Sequence, residues 1–589
     1  MFPKTSPDPA RLTCGRTIAV LGAAMLWAAS GIAPALAGNY QLAVSTAKVE
    51  IGGRVVEKMT INGGVPGPTL RLREGEDATI TVTNNTGETT SVHWHGLMLP
   101  GIMDGAPGFN GFMGIKPGTS YTYTFRIRQS GTYWYHSHSG TQDQSVLGAI
   151  VIDPVKPSPF RADRDYVVLL GDATPEDSDR VLRNLKADPG YYNYRKRTLV
   201  DFFDDANEQG LGAALKDRLD WGAMRMDPTD LADVTGYSFL VNGKAPDGNE
   251  TFIFRKGERI RLRLINGSAM TLFDVRIPGL KMTVVAADGN DVHPVPVDEI
   301  RMGVAERYDV FVEPKEDMPY TLFAESIDRT GYARATLATA EGKEGPIPKR
   351  RPRALLSMDD MGMAHAGHDM GNVDSGTMDH STMDHSAMGH AAANNATDGT
   401  GVEPRPVGWA SGFPPDAKVL AYSDLRSLRA REDNSDPTRT IEMRLTGNME
   451  RYVWTLNGEK FGAAPPVRVR YGERVRIAFT NETMMAHPMH LHGMFFELEN
   501  GTGNRRPLKD TVIVPPGQSV SVVLTAREVG AWPLHCHLLY HMASGMMTTF
   551  VVEPPGTADS TVTPDGAVLP LGITQNGAAH TAHAGHGGM

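Results

Sequence analysis

Apolar and polar residues alternate with period two in three well-separated stretches of the chain. They are Ala78-Thr79-Ile80-Thr81-Val82-Thr83, Ile260-Arg261-Leu262-Arg263-Leu264 and Val475-Arg476-Ile477-Ala478-Phe479. Successive side chains of a strand point to opposite faces, so this pattern predicts strands with one face buried. The same turn chemistry frames each stretch. Asn62-Gly63, Asn242-Gly243 and Asn457-Gly458 lie upstream, and Gly75-Glu76, Gly257-Glu258 and Gly472-Glu473 lie just before. Asn84, Asn266 and Asn481 close the stretches, each nine residues after the glycine of Gly-Glu. Such repeated agreement predicts three homologous β units. With 63 Gly and 40 Pro marking frequent turns, the expected class is all-β: three Greek-key sandwiches or barrels.

Two segments break the alternation. Between Asp172 and Asp233 the spacing becomes helical, as in 202–221, with Leu211, Ala214, Leu215 and Leu219 on one face. Residues 346–435 are rich in Met, His, Asp, Gly, Ala and Pro, a composition that predicts a flexible linker. At the start, Lys4, Arg11 and Arg16 precede or flank an apolar run over 18–29, followed by Ala35-Leu36-Ala37. That is the pattern of a secretory leader cut after Ala37, and it is too short to span a membrane. The expected order is leader 1–37, first β domain 38–160, second with its helical insert 161–345, linker 346–435, third 436–556 and tail 557–589.

The net charge of −10 over 589 residues, with no basic block, argues against nucleic-acid binding. The chain has two cysteines, and cleavage would remove Cys14. Cys536 would then stand alone, which excludes a disulfide framework and leaves a ligand role open.

Histidine supplies the chemistry. About 0.6 His-x-His triplets are expected by chance. Four are present: His93-Trp94-His95, His136-Ser137-His138, His490-Leu491-His492 and His535-Cys536-His537. Residues i and i+2 of a strand share a face, so each triplet is a two-imidazole metal fork. Two forks fall in the first unit and two in the third, which predicts a metal cluster between those units, with the middle unit as scaffold. Cys536, His487, His541 and Met546 match the ligand set of a blue-copper site, a thiolate with two imidazoles and a weak thioether. On a strand, Cys536 would face that site while His535 and His537 face the cluster behind it.

The strings HWHG, YHSH, HPMHLHG and HCHLLYHMASGM resemble those of the multicopper oxidases. The insert ending MRMDPTDLADVTGYSF, the segment YSDLRS and the Met/His-rich linker are most similar to the bacterial CopA/PcoA copper-resistance family. The resemblance implies three cupredoxin domains and four coppers per chain. By that resemblance His487, Cys536, His541 and Met546 hold type 1 copper, and His93 and His490 hold type 2. His95, His136, His138, His492, His535 and His537 hold the type 3 pair. It also implies that Asp104 assists proton delivery and that His541 is the solvent-side imidazole through which electrons enter. Two departures stand out. Arg11 and Arg16 are not adjacent, so the leader lacks a twin-arginine pair, and Met98 and Met542 stand where some Cu(I)-oxidising relatives carry acids.

The expected activity is periplasmic oxidation of Cu(I), coupled to reduction of O2 to water, in copper resistance. A laccase-like phenol oxidase and a copper-sequestering protein are the alternatives. Soft thioethers suit Cu(I), so Met378, His380, Met383, His385, Met388 and His390 are accessory Cu(I) ligand candidates. His580, His583, His586 and Met589 form a weaker set. Expected partners are O2, Cu(I) or a small phenol, and periplasmic copper-transfer proteins; a monomer without a membrane span is expected.

Overall fold

The computed structural model describes residues 38–141, 145–224, 226–353, 355–357, 360, 409, 412–448 and 450–555. The leader, the tail histidines and the six Met and His candidates between Met378 and His390 lie outside the described residues. Six sheets form three pairs, of four and four, six and five, and six and five strands.

The repeat in the sequence is a repeat in topology. The alternating stretches become strands Asp77–Asn84, Ile260–Asn266 and Arg474–Asn481. Each runs parallel to the first strand of its own unit: Asn39–Ile51, Arg164–Ala173 and Arg439–Asn448. Each also pairs antiparallel with one later strand, Ser120–Arg126, Arg307–Val312 or Ser519–Thr525. The predicted Asn-Gly turns are tight, with positive φ at both residues: Asn62 52° and Gly63 78°, Asn242 50° and Gly243 81°, Asn457 54° and Gly458 83°. Asparagine and glycine tolerate that left-handed backbone better than other residues.

The closing asparagines do more than turn the chain. Asn84, Asn266 and Asn481 are buried at their strand ends. Each side-chain amide donates to carbonyls of the loop that follows and to a second segment. Asn84 reaches Glu88 and Ile115, Asn266 reaches Thr271 and Met302, and Asn481 reaches Met485 and Val514.

The helical insert holds helices Ser178–Ala187, Leu199–Gln209 and Leu211–Ala223. Asp177 caps the first, and a Thr198/Asp201 capping box starts the second. Gly210, at φ 91°, separates the last two. The face expected to bury Leu211, Leu215 and Leu219 does not: these are 64%, 50% and 63% exposed. The helix docks through Ala214 and Trp221 instead.

The described residues at both ends of the segment 346–435 make anchoring contacts, which composition does not reveal. Arg351 pairs with the buried Glu299, Val419 bridges to Glu299, Leu356 and Trp409 are buried, and Tyr422 donates to Glu306 at 2.7 Å. These described flanks are bound to the middle sheets.

Candidate metal centres

Strand pairing assembles the forks. His93 pairs with His136 across strands His93–His95 and Gly131–His136, and His490 pairs with His535 across His487–Leu491 and Gly530–Cys536. The two pairs then meet face to face. His93 stacks on His492 and His95 on His490, both at 3.8 Å between ring centroids. The rings of the first and third repeats therefore meet as expected, and every fork histidine except the half-buried His138 is buried.

Hydrogen bonds fix which nitrogen each ring presents. The Nδ1 atoms of His93, His136, His490 and His535 donate to the carbonyls of Asp104, Ser137, Asp510 and Cys536 at 2.8–2.9 Å. His492 Nδ1 donates to Asp104 Oδ2 at 2.8 Å. This leaves Nε2 as a lone pair facing inward. His95 is reversed: its Nε2 faces Asp510 Oδ1 at 3.2 Å and its Nδ1 is free. Among the described residues, His93, His136, His490 and His537 have no partner for Nε2. His492 Nε2 lies 3.1 Å from His535 Nε2, and His138 Nε2 lies 3.4 Å from the same atom. Lone pairs of neutral rings repel at that distance, and a cation between them turns the repulsion into ligation. Burial and the neighbouring imidazoles hold His95, His136, His138, His490, His492 and His537 well below the ordinary histidine pKa, and burial pushes His535 down to about 4. The rings are thus neutral and ready to ligate.

Asp104 reaches the cluster because Gly105, at φ 84°, lets the turn close on Val92. A Cβ at that glycine would lie 1.9 Å from the Val92 carbonyl oxygen. The aspartate is both a turn residue and a cluster residue, buried, with Oδ1 free of hydrogen bonds among the described residues.

Behind the strand, Cys536 Sγ lies 3.6 Å from His487 Nδ1 and 3.8 Å from His541 Nδ1, and the two nitrogens are 3.1 Å apart. Here the other ring nitrogen is taken. His487 Nε2 meets Thr483 Oγ1 at 2.7 Å, and His541 Nε2 meets Asp233 Oδ2 at 2.7 Å. Both Nδ1 atoms face the sulfur, again a set that a cation would complete. Burial raises the Cys536 thiol pKa, so a bound cation would have to draw the thiolate out. Met546 is buried, and its backbone N–H and carbonyl bond to His541 and Cys536.

Several features differ from the sequence expectation. His541 is not a solvent-side ring: it is fully buried, stacked under Trp454 at 3.8 Å, and capped by Asp233, which also accepts from Tyr452 at 2.6 Å. The cover comes from two repeats: Asp233 lies in the middle repeat after the helical insert, and Tyr452 and Trp454 lie in the third. The sequence patterns assign no role to Asp233, Thr483 or Asp510. Thr483 lies four residues before His487, but nothing in local spacing ties Asp233 or Asp510 to a ring more than 300 residues away.

Comparisons with known proteins agree with this geometry. Three family models described as multicopper oxidase match residues 43–157, 197–342 and 434–556. Copper resistance protein A of Escherichia coli is 49% identical, covering 89% of this chain and 94% of its own. Multicopper oxidase MmcO of Mycobacterium tuberculosis is 32% identical, covering 85% and 84%. Among solved structures, the laccase of Botrytis aclada shares the fold, with a TM-score of 0.60 at 20% identity over 87% of each chain. Its ring-lined centres, its fold and these relatives together establish that the chain belongs to the multicopper oxidases, oxidoreductases that use copper cofactors, O2 and a reducing substrate.

Proposed function

We propose that the chain is a copper-resistance oxidase that takes electrons one at a time from Cu(I) and passes them to O2. The single observation carrying this reading is the burial of His541 beneath Asp233, Tyr452 and Trp454. A bulky phenol needs an open edge beside the electron-accepting ring, whereas a bare metal ion needs only a small polar contact. The name of the Escherichia coli relative points the same way.

In this reading the chain holds four coppers in three cupredoxin domains. His487, Cys536, His541 and Met546 hold type 1 copper. His93 and His490 hold type 2. His95, His136 and His537 hold one type 3 ion, and His138, His492 and His535 hold the other. The free nitrogens and facing lone pairs support these assignments. Bound copper would supply one-electron storage at the thiolate and the site of O2 reduction at the cluster.

The protein's own part is positional. Cys536 faces one centre while its neighbours His535 and His537 face the other, so the peptide backbone between them is the electron path. Asp104 accepts from His492 Nδ1 and keeps one oxygen free beside the cluster, where it would hold a proton for the forming water. Asp233, itself fully buried, accepts from His541 Nε2 and so orients the ring with Nδ1 toward the sulfur. The leader pattern supports export to the periplasm, and Met378–His390 would gather Cu(I).

The test is a comparison of donors on the copper-loaded protein. Cu(I) should be oxidised with a kcat/KM at least tenfold above that of a bulky phenol. A phenol oxidised as well as Cu(I) would overturn the substrate assignment while leaving the oxidase itself intact.

A further inference from the structure

The middle repeat contributes no histidine to the cluster, yet it reaches beneath it. Arg307 begins the middle-repeat strand Arg307–Val312 and is fully buried. Its guanidinium forks onto the Asp510 carboxylate: Nη1 donates to Oδ1 at 2.8 Å and Nη2 donates to Oδ2. The arginine is pinned in turn by the carbonyls of Ala305 at 2.9 Å and Thr132, a residue of the first repeat, at 3.4 Å.

Asp510 touches two rings from different repeats. Its Oδ1 faces His95 Nε2 at 3.2 Å, and its backbone carbonyl accepts from His490 Nδ1 at 2.8 Å. It therefore sets opposite tautomers on two stacked imidazoles, freeing Nδ1 of His95 and Nε2 of His490. Thr511 Oγ1 sits 3.0 Å from the same Oδ1. The backbone beneath is tied to the middle repeat as well. Asp288 accepts from Arg307 N at 3.0 Å and from Asp510 N at 3.3 Å, and the buried Lys509 pairs with Asp288 and Glu306 at 3.0 Å each.

A buried aspartate with unfixed oxygens could rotate away from His95 and so leave that ring's tautomer unset. A bidentate arginine removes that freedom, because its planar fork matches one carboxylate orientation. We propose that Arg307 is a positioning residue for the copper cluster: acting through the Asp510 carboxylate, it fixes the tautomer of His95, the ring stacked on His490, so the middle repeat helps build the oxygen-reducing centre. This rests on the trinuclear-copper reading above.

The test uses the full copper-loaded chain with Arg307→Leu, Arg307→Lys and Asp510→Asn. Partners that orient metal ligands typically control metal affinity by about 10–100-fold. Arg307→Leu and Asp510→Asn should each weaken cluster copper by about that factor in chelator competition and alter the type 2 electron paramagnetic resonance signal. The blue band of Cys536 should keep its intensity. Arg307→Lys retains the charge but not the fork; it should shift the type 2 signal too, and it decides the matter alone if the leucine variant does not fold. An unaltered type 2 signal and affinity in the lysine variant would overturn the proposal. So would parallel loss of blue and cluster copper, which would mark a fold-wide effect. A wild-type chain with no type 2 signal would instead refute the copper-cluster reading itself.

Discussion

At the residue scale, tautomers separate the two centres. Cluster rings spend Nδ1 on carbonyls or Asp104 and present Nε2, with His95 the exception. The rings beside Cys536 spend Nε2 on Thr483 and Asp233 and present Nδ1. Substitutions should separate the centres in the same way. Cys536→Ser should abolish the blue band and donor oxidation while leaving the type 2 resonance; a variant that stays blue would refute the thiolate assignment. His490→Ala should leave the blue copper reducible by donor under nitrogen but stop its reoxidation by air, which stopped-flow absorbance reads directly. Asp104→Ala should slow reoxidation at least tenfold with anaerobic reduction unchanged, because proton supply is needed only at the oxygen step. Much of this scale was legible in the chain: i and i+2 on a strand give a fork, and a cysteine between two fork histidines must face the other way. Asp233, Arg307 and Asp510 were not legible. Each works through a partner some 200 to 400 residues away in sequence, and only folding brings them together.

At the element scale, one strand–loop device recurs three times. Its alternation and Asn-Gly turns could be read directly, but the asparagine that ends each strand read as a turn residue, when it is a buried clasp. In the third repeat the clasp holds the loop leading to His487: Asn481 donates to Met485 at 2.6 Å and to Val514 and Pro515 at 3.0 Å, and accepts from Thr483 N at 2.9 Å. Asn481→Ala should therefore cost about 1–3 kcal/mol in denaturant unfolding, since it strands buried carbonyls, and should broaden the blue band. The helical insert shows the opposite lesson. A helical period predicts a face but not which face is covered. Leu215→Gln and Leu219→Gln should change unfolding free energy by no more than about 0.5 kcal/mol each, as surface positions do.

At the scale of the whole molecule, the first and third repeats supply the rings, and the middle repeat supplies Asp233 over His541 and the floor of the cluster. Burying so many neutral imidazoles makes the metal-free chain sensitive to acid. Their folded pKa values lie below the unfolded value of about 6.5, so the unfolded chain binds more protons below that pH and stability falls as pH drops toward the folded values. Each ring removes up to about 1.4 kcal/mol per pH unit in that window. Metal-free protein should lose thermal stability steeply between about pH 6.5 and 4, and copper-loaded protein much less, because ligated rings cannot take up protons. Equal profiles would argue that the rings are not ligands. Deleting residues 358–390 should lower Cu(I) oxidation more than phenol oxidation.

The most direct test of the account mixes copper-loaded protein with excess Cu(I) under nitrogen, then admits a measured amount of O2 while following the blue band. The account predicts bleaching by Cu(I), recovery in air, and four Cu(I) consumed per O2 with no peroxide released. A band that Cu(I) leaves unchanged, or two Cu(I) consumed per O2 with peroxide accumulating, would contradict it.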